Sequence, residues 1–243
     1  MGDEQRTPYA LEVRDLTRAF GVRKALDGVS LDIPERAFLS VFGPNGAGKT
    51  TLVKVLTTLL NPTSGTAKVL GLDVVNDAVE LRKRIGLISH NPLLYPDLTA
   101  EENLLFFGEM YGIPEPQARV DELLTAVELD HRRLDLTRTF SRGMLQRLSI
   151  ARALLHKPDV LFLDEPYSGL DPHAMDILDG LIAQIRDQHT FVMISHDLDK
   201  GLELCSHALI LARGRVVMFE PRERIEDNVF RATYRSTVGM GVA

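Results

Sequence analysis

"AFLSVFGPNGAGKTTLVKVLTTLL", Ala37 to Leu60, decides the fold. Its first six residues are apolar apart from Ser40 and stop at Gly43, the short run a buried strand makes. Beyond a glycine-rich turn, Leu52, Val55, Leu56 and Leu59 recur at helical spacing. The turn "GPNGAGKTT" satisfies G-x-x-x-x-G-K-[ST] in the strand–turn–helix setting that this pattern requires. Its glycines let successive backbone N–H groups curve around phosphate oxygens, and the helix start adds partial positive charge. The expected cradle is Gly43, Pro44, Asn45, Gly46, Ala47, Gly48, Lys49, Thr50 and Thr51. Lys49 suits the terminal phosphates of a nucleotide, and the Thr50 hydroxyl suits magnesium, so a nucleotide and Mg2+ are the expected ligands.

Outward from this turn, the first third reads as β-rich. "YALEVRDLTRAF" alternates apolar and polar residues, "ALDGVSLDI" follows as another strand, and "TAKVLGLDV" and "RIGLIS" come after the helix. From about residue 91 to 155 the pattern becomes helical: "AEENLLFFGEMYG", opened by Thr99 as N-cap with Leu104, Leu105 and Phe107 to Met110 on one face, then "PQARVDELLTAVELD" and "LQRLSIARALLHK". Strands return in "DVLFLDEP", "TFVMISHD" and "ALILARGRVVMF", with the helix "PHAMDILDGLIAQIRDQ" between them. The expected fold class is α/β. The turn resembles that of P-loop NTPases, and the resemblance implies a core with a mixed sheet and flanking helices, an N-terminal antiparallel β subdomain and an inserted helical subdomain. The expected limits are a tail at 1–10 and one ATPase domain at 11–222. Within that domain the core is 11–90 and 156–222, the helical insertion is 91–155, and an unassigned extension follows at 223–243.

With 243 residues there is length for a sizeable core, and a net charge of −6 without a basic block argues against nucleic acid as the main ligand. No apolar run approaches the ~20 residues that cross a bilayer, and the polar start "MGDEQRTPYA" lacks the apolar core of a secretory signal. The single cysteine, Cys205, reads as a small buried filler, which fits a reducing cytoplasm.

"VLFLDEP" delivers Asp164 and Glu165 to the C-terminal end of a buried strand, where ligands bind in open α/β sheets. Asp164 is expected to hold magnesium through water, and Glu165 to polarise the attacking water. A second anion grip stands upstream. In "TFSRGM", Thr139 to Met144, a hydroxyl, a glycine and a helix start come together, although Ser141 is equally explained as a plain N-cap.

"GPNGAGKTT", "FSRGMLQR", "LFLDEP", "SGLD" (Ser168 to Asp171) and "ISHD" stand in an order that resembles the nucleotide-binding subunit of an ATP-binding cassette (ABC) transporter, from about Leu11 to Phe219. The resemblance implies a head-to-tail dimer of this chain with itself or a homologous ATPase, two ATP sandwiched between them. Ser141 and Gly143 of one chain would complete the shell around the γ-phosphate in the other's cradle. It implies that His196 contacts that phosphate, that Asp171 reaches across in addition to capping its helix, and that Phe20 stacks on adenine. A core position for Phe20 at the end of an alternating strand is the other reading. His156, His173 and His189 read as surface or turn residues.

Two positions depart from the family pattern. Arg142 stands where glycine is frequent, compatible with an outward-pointing side chain at a helix start. His90 stands where a magnesium-coordinating glutamine is usual. Imidazole is a poor match for magnesium, so His90 is expected at the attacking water or the metal's water shell, or simply as a surface residue beside a hinge. His90, "NPLLYPDLTAEENL" and "SRGM" are similar to the ATPases of bacterial haem exporters used in cytochrome c maturation. The resemblance further implies separate transmembrane permease subunits and a location on the cytoplasmic face of the membrane. A partner helix is expected to dock along His90 to Leu98, unless Leu93, Leu94 and Tyr95 pack beneath the insertion. Soluble ABC ATPases, such as those of iron–sulfur assembly, are the alternative class.

Overall fold

The computed structural model describes residues 9–89 and 91–239. In chain order the elements are β1 (Tyr9–Phe20), β2 (Arg23–Pro34), β3 (Phe38–Phe42), α1 (Lys49–Leu56), β4 (Ser64–Val69), β5 (Leu72–Asp73), α2 (Ala78–Arg82), β6 (Ile85–Ile88) and α3 (Ala100–Met110). There follow α4 (Gln117–Ala126), α5 (Arg142–Leu154), β7 (Val160–Asp164), α6 (Pro172–Ile185), β8 (Thr190–Ile194), α7 (Leu198–Leu204), β9 (His207–Ala212), β10 (Arg215–Pro221) and α8 (Asp227–Gly239). The class is α/β, and the chain divides into two units. One holds the described residues up to Arg82 and from His189 onward; the other holds those of Lys83–Gln188.

In the first unit, β2, β1, β4 and β5 form an antiparallel sheet. β3 lies between β8 and β9, parallel to both, and β10 pairs antiparallel with β9, which makes the second sheet mixed. Every residue of β3 and β8 is buried, as expected of parallel strands covered on both faces. Phe38 stacks on Phe191 with ring centroids 5.0 Å apart. The one hydroxyl within β3, Ser40, donates to the Gly201 carbonyl at 2.8 Å, so its burial leaves no donor stranded.

Three sequence expectations change here. The helix after the turn ends at Leu56, because Thr58 adopts a left-handed conformation (φ 62) and the Thr57 hydroxyl bonds back to the Val53 carbonyl, leaving Leu59 exposed. "TAKVLGLDV" is a hairpin rather than one strand: Leu70 and Gly71 both take positive φ, the signature of a tight turn between β4 and β5. The segment left unassigned from residue 223 carries α8, whose Phe230 is buried edge-on against Phe42, centroids 5.3 Å apart. Cys205 is buried, as expected.

In the second unit, β6 and β7 pair in parallel, and α3, α4 and α5 pack together. Thr99 caps α3 in a reciprocal box: its hydroxyl accepts from the Glu102 amide, and the Glu102 carboxylate accepts from the Thr99 amide. The buried stripe of α3 is Ala100, Asn103, Leu104 and Gly108, so Met110 and Phe106, unlike Leu104, face outward.

His156 is not a plain surface residue. Its ring lies 3.9 Å from that of Tyr111, nearly parallel, and Nε2 donates to the Ile85 carbonyl at 2.9 Å. Burial holds its pKa below the ordinary 6.5, with the charge of Arg152 adding to this and the Ile85 bond opposing it. Below about pH 6.5 the unfolded chain takes up this proton more readily than the folded one, so stability falls with pH. The melting temperature is expected to drop between about pH 7.5 and about pH 5.5. In His156→Phe, which keeps the stack, the slope should be shallower; an unchanged slope would remove His156 as a source. It should not vanish, because burial also lowers His207.

Candidate nucleotide site

The first unit holds the cradle. β3 runs out at Gly43, and α1 begins at Lys49 with Gly48 as its N-cap and no side chain bonded to that cap. Gly48 sits at φ 106, and a Cβ there would lie 2.3 Å from the Ala25 carbonyl oxygen, so only glycine permits this approach of turn to β2. The Lys49 side chain, 6% exposed, folds into the turn and donates to the carbonyls of Gly43 at 2.7 Å and Pro44 at 3.1 Å. Asn45, Gly46 and Thr50 are exposed, whereas Gly43 and Ala47 are buried. The result is a curled loop with a lysine at its centre and an uncapped helix start, a donor set that fits a polyphosphate.

Two further features belong to the same unit. Because β8 is parallel to β3 (Val41 opposite Ile194), the cradle and His196 leave the sheet at one edge. The turn carrying His196 is pinned on both sides. The Ser195 hydroxyl donates to the Asp197 carbonyl at 2.8 Å, and the Asp197 side chain caps α7 by accepting from the Lys200 amide at 3.0 Å. His196 itself is exposed. Phe20 stands opposite Arg23 at the end of the β1–β2 pair and is 49% exposed, which rules out the core position considered for it. The Arg18 guanidinium lies 4.6 Å from its ring centroid, covering one face as a cation–π partner.

The second unit holds the other predicted residues. Ser141 caps α5, its hydroxyl accepting from the Met144 amide at 3.3 Å. Asp171 caps α6 by accepting from the Ala174 amide at 2.9 Å, with Pro172 at the first helical position. Its other carboxylate oxygen lies 3.4 Å from where a Cβ on Gly143 would stand, so the start of α5 and this loop meet. Asp164 and Glu165 close β7, half-buried, and Glu165 takes φ 54, a left-handed conformation unusual for a non-glycine residue. Glu165, Arg142, Leu145, Gln146, Ser168 and Pro92 line a cavity of about 270 Å³. Arg142, exposed at the start of α5, lays its guanidinium against Gly169 and donates to the Ser168 carbonyl at 3.3 Å. Sequence reading missed this contact because its partner is a backbone carbonyl, which leaves no mark in residue type.

His90 lies outside the described residues. After it, Leu93 is 42% and Tyr95 47% exposed, and Leu94 is half-buried. The backbone of Tyr95 is held by the buried Asn103, which accepts from its amide at 2.8 Å and donates to its carbonyl at 3.0 Å. The Tyr95 ring meets Phe106 edge-on, with centroids 5.0 Å apart, so the backbone is fixed while the aromatic face remains open. Among the described residues no helix is long and apolar enough to cross a membrane, and no group of three or more His, Cys, Asp or Glu residues could hold a metal ion.

Residues 26–168 match the family model described as ABC transporter. The chain is 38% identical over 211 residues to the daunorubicin resistance ATP-binding protein DrrA3 of Streptomyces coeruleorubidus, an alignment covering 86% of this chain and 67% of that protein. It is 37% identical over 218 residues to the bacitracin transport ATP-binding protein BcrA of Bacillus licheniformis, covering 89% and 71%. Among solved structures it is similar to the dimeric post-hydrolysis state of the ATP-binding cassette MJ0796 bound to ADP and Pi. That match has a TM-score of 0.76 and 27% identity, and covers 87% of this chain and 98% of the other.

Proposed function

Since the chain belongs to the ABC transporter family and is one of its ATP-binding ATPases, we propose that it is the motor subunit of an exporter, working as a head-to-tail dimer around two ATP. The observation that carries this reading is that one chain has two helix starts suited to phosphate, at Lys49 and at Arg142, the second with its own hydroxyl cap. The cradle Gly43 to Thr51 binds the triphosphate of ATP, with Lys49 as its cation and Phe20 as the platform for adenine. Ser141 and Gly143 close over the nucleotide held by the partner, and Asp171 reaches toward the same boundary. Glu165 accepts the proton of the attacking water, and His196 orients that water against the terminal phosphate. Thr50 and Asp164, the latter through water, would hold the magnesium ion, which when bound neutralises developing charge on the phosphates. His90 is assigned to the water shell of that ion. Residues 11–222, with the helical insertion at 91–155, form the ATPase domain.

The motor works with separate permease subunits on the cytoplasmic face of the membrane, a reading supported by the relative named as a transport ATP-binding protein. The docking surface is the open aromatic face of Tyr95 and Phe106 with Leu93, suited to an amphipathic helix. Tyr95→Glu should abolish co-purification with membrane subunits while the isolated chain keeps its ATP turnover; retention on membranes would exclude this surface. Two relatives are named for daunorubicin resistance and bacitracin transport, which favours an amphipathic, antibiotic-type cargo over a non-transport role in iron–sulfur assembly. Haem for cytochrome c maturation is the narrower reading suggested by "SRGM" and His90. Deleting the gene separates the two: sensitisation to amphipathic antibiotics supports the first, and loss of c-type cytochromes the second.

A further inference from the structure

We infer that Arg142 and Gln146 are positioning residues for Glu165, strapping the loop that follows it to the start of α5. This rests on the proposed role of Glu165 in ATP hydrolysis and adds a function for Arg142, one of the two positions that depart from the family pattern. Residues 142, 145 and 146 share one face of α5. From that face, Arg142 donates to the Ser168 carbonyl at 3.3 Å and Gln146 to the Pro166 carbonyl at 3.3 Å. The two bonds bracket a turn that the Ser168 amide closes on the Glu165 carbonyl at 3.0 Å.

This turn needs support. Glu165 occupies left-handed space at φ 54, a conformation that a side chain of this size adopts only where its surroundings impose it. Gly169, at φ 74, leaves room for the strap: a Cβ there would lie 2.5 Å from Cζ of Arg142. Arg142 and Glu165 also line the same cavity of about 270 Å³, so the cation stands on the side of the loop where the carboxylate must be held. A lysine at 142 can reach one carbonyl but cannot lay a flat guanidinium along a glycine.

The test is steady-state ATP hydrolysis by the full chain. Arg142→Ala should lower kcat by about tenfold or more, with KM for ATP within about twofold of the parent, because the loss is one of alignment rather than of binding. Arg142→Lys should recover part of kcat. Asparagine tolerates left-handed backbone, so Gly169→Asn isolates the collision with Arg142; it should lower kcat alone yet add nothing to Arg142→Ala. Unchanged kcat in Arg142→Ala, or fully additive effects in the double variant, would overturn the inference while leaving the ATPase reading intact. If Arg142→Ala does not fold, Gln146→Leu gives the same split between kcat and KM, and its failure to do so overturns the strap equally. A parent chain that binds but never hydrolyses ATP would overturn both.

Discussion

Glu165→Gln is expected to bind ATP as tightly as the parent while turnover falls by ~10²–10⁴-fold, the share a general base supplies. Glutamine keeps the shape and one acceptor oxygen of the glutamate, so the left-handed turn at Glu165 and its closing bond from Ser168 should persist. What is lost is the ability to take a proton from water. With hydrolysis stopped, the γ-phosphate that the proposed dimer shares between its two chains would stay in place, and ATP-dependent dimers should accumulate on a sizing column. Turnover near the parental rate would remove Glu165 from the base role. Blocked turnover with strictly monomeric protein at saturating ATP would remove the dimer.

Lys49→Ala carries the second large effect. The ammonium group is buried in the turn and holds the Gly43 and Pro44 carbonyls. On the proposed role of Lys49, its removal would delete a charge-assisted contact to phosphate, worth ~1.5–3 kcal/mol, or roughly 10–150-fold in nucleotide affinity. It also leaves two carbonyls of the cradle without that donor, so the loop relaxes and the full loss should sit at the upper end. Equilibrium binding of a fluorescent ATP analogue measures it. Affinity within twofold of the parent would mean that the phosphates lie elsewhere. Lys49→Arg should not rescue, since a flat guanidinium needs more width than this tight turn leaves.

The cradle was legible because its features are local: a fully buried strand is an apolar run, a turn needing positive φ is glycine, and a helix has its own spacing. Ser141 and Asp171 were legible for the same reason, since capping depends on residues three positions away. Phe20 was ambiguous, because an aromatic ending an alternating strand looks alike whether it turns inward or, as here, projects beside Arg18 with half its surface open. The contact of Arg142 with the Ser168 carbonyl and the stacking of His156 on Tyr111 depend on partners far along the chain, which no local pattern encodes. The same holds for α8: its contact with Phe42, immediately before the cradle, joins residues from opposite ends of the sequence.

The most direct measurement asks whose ATP Ser141 faces. The chain's only native cysteine is buried, so Asn45→Cys and Ser141→Cys can be introduced together and oxidised under ATP in the Glu165→Gln background. Cysteines bridge only when their Cα atoms come within about 7 Å. A covalent dimer that forms with ATP and not without it is the expected product. A cross-link confined to single chains would contradict the shared site.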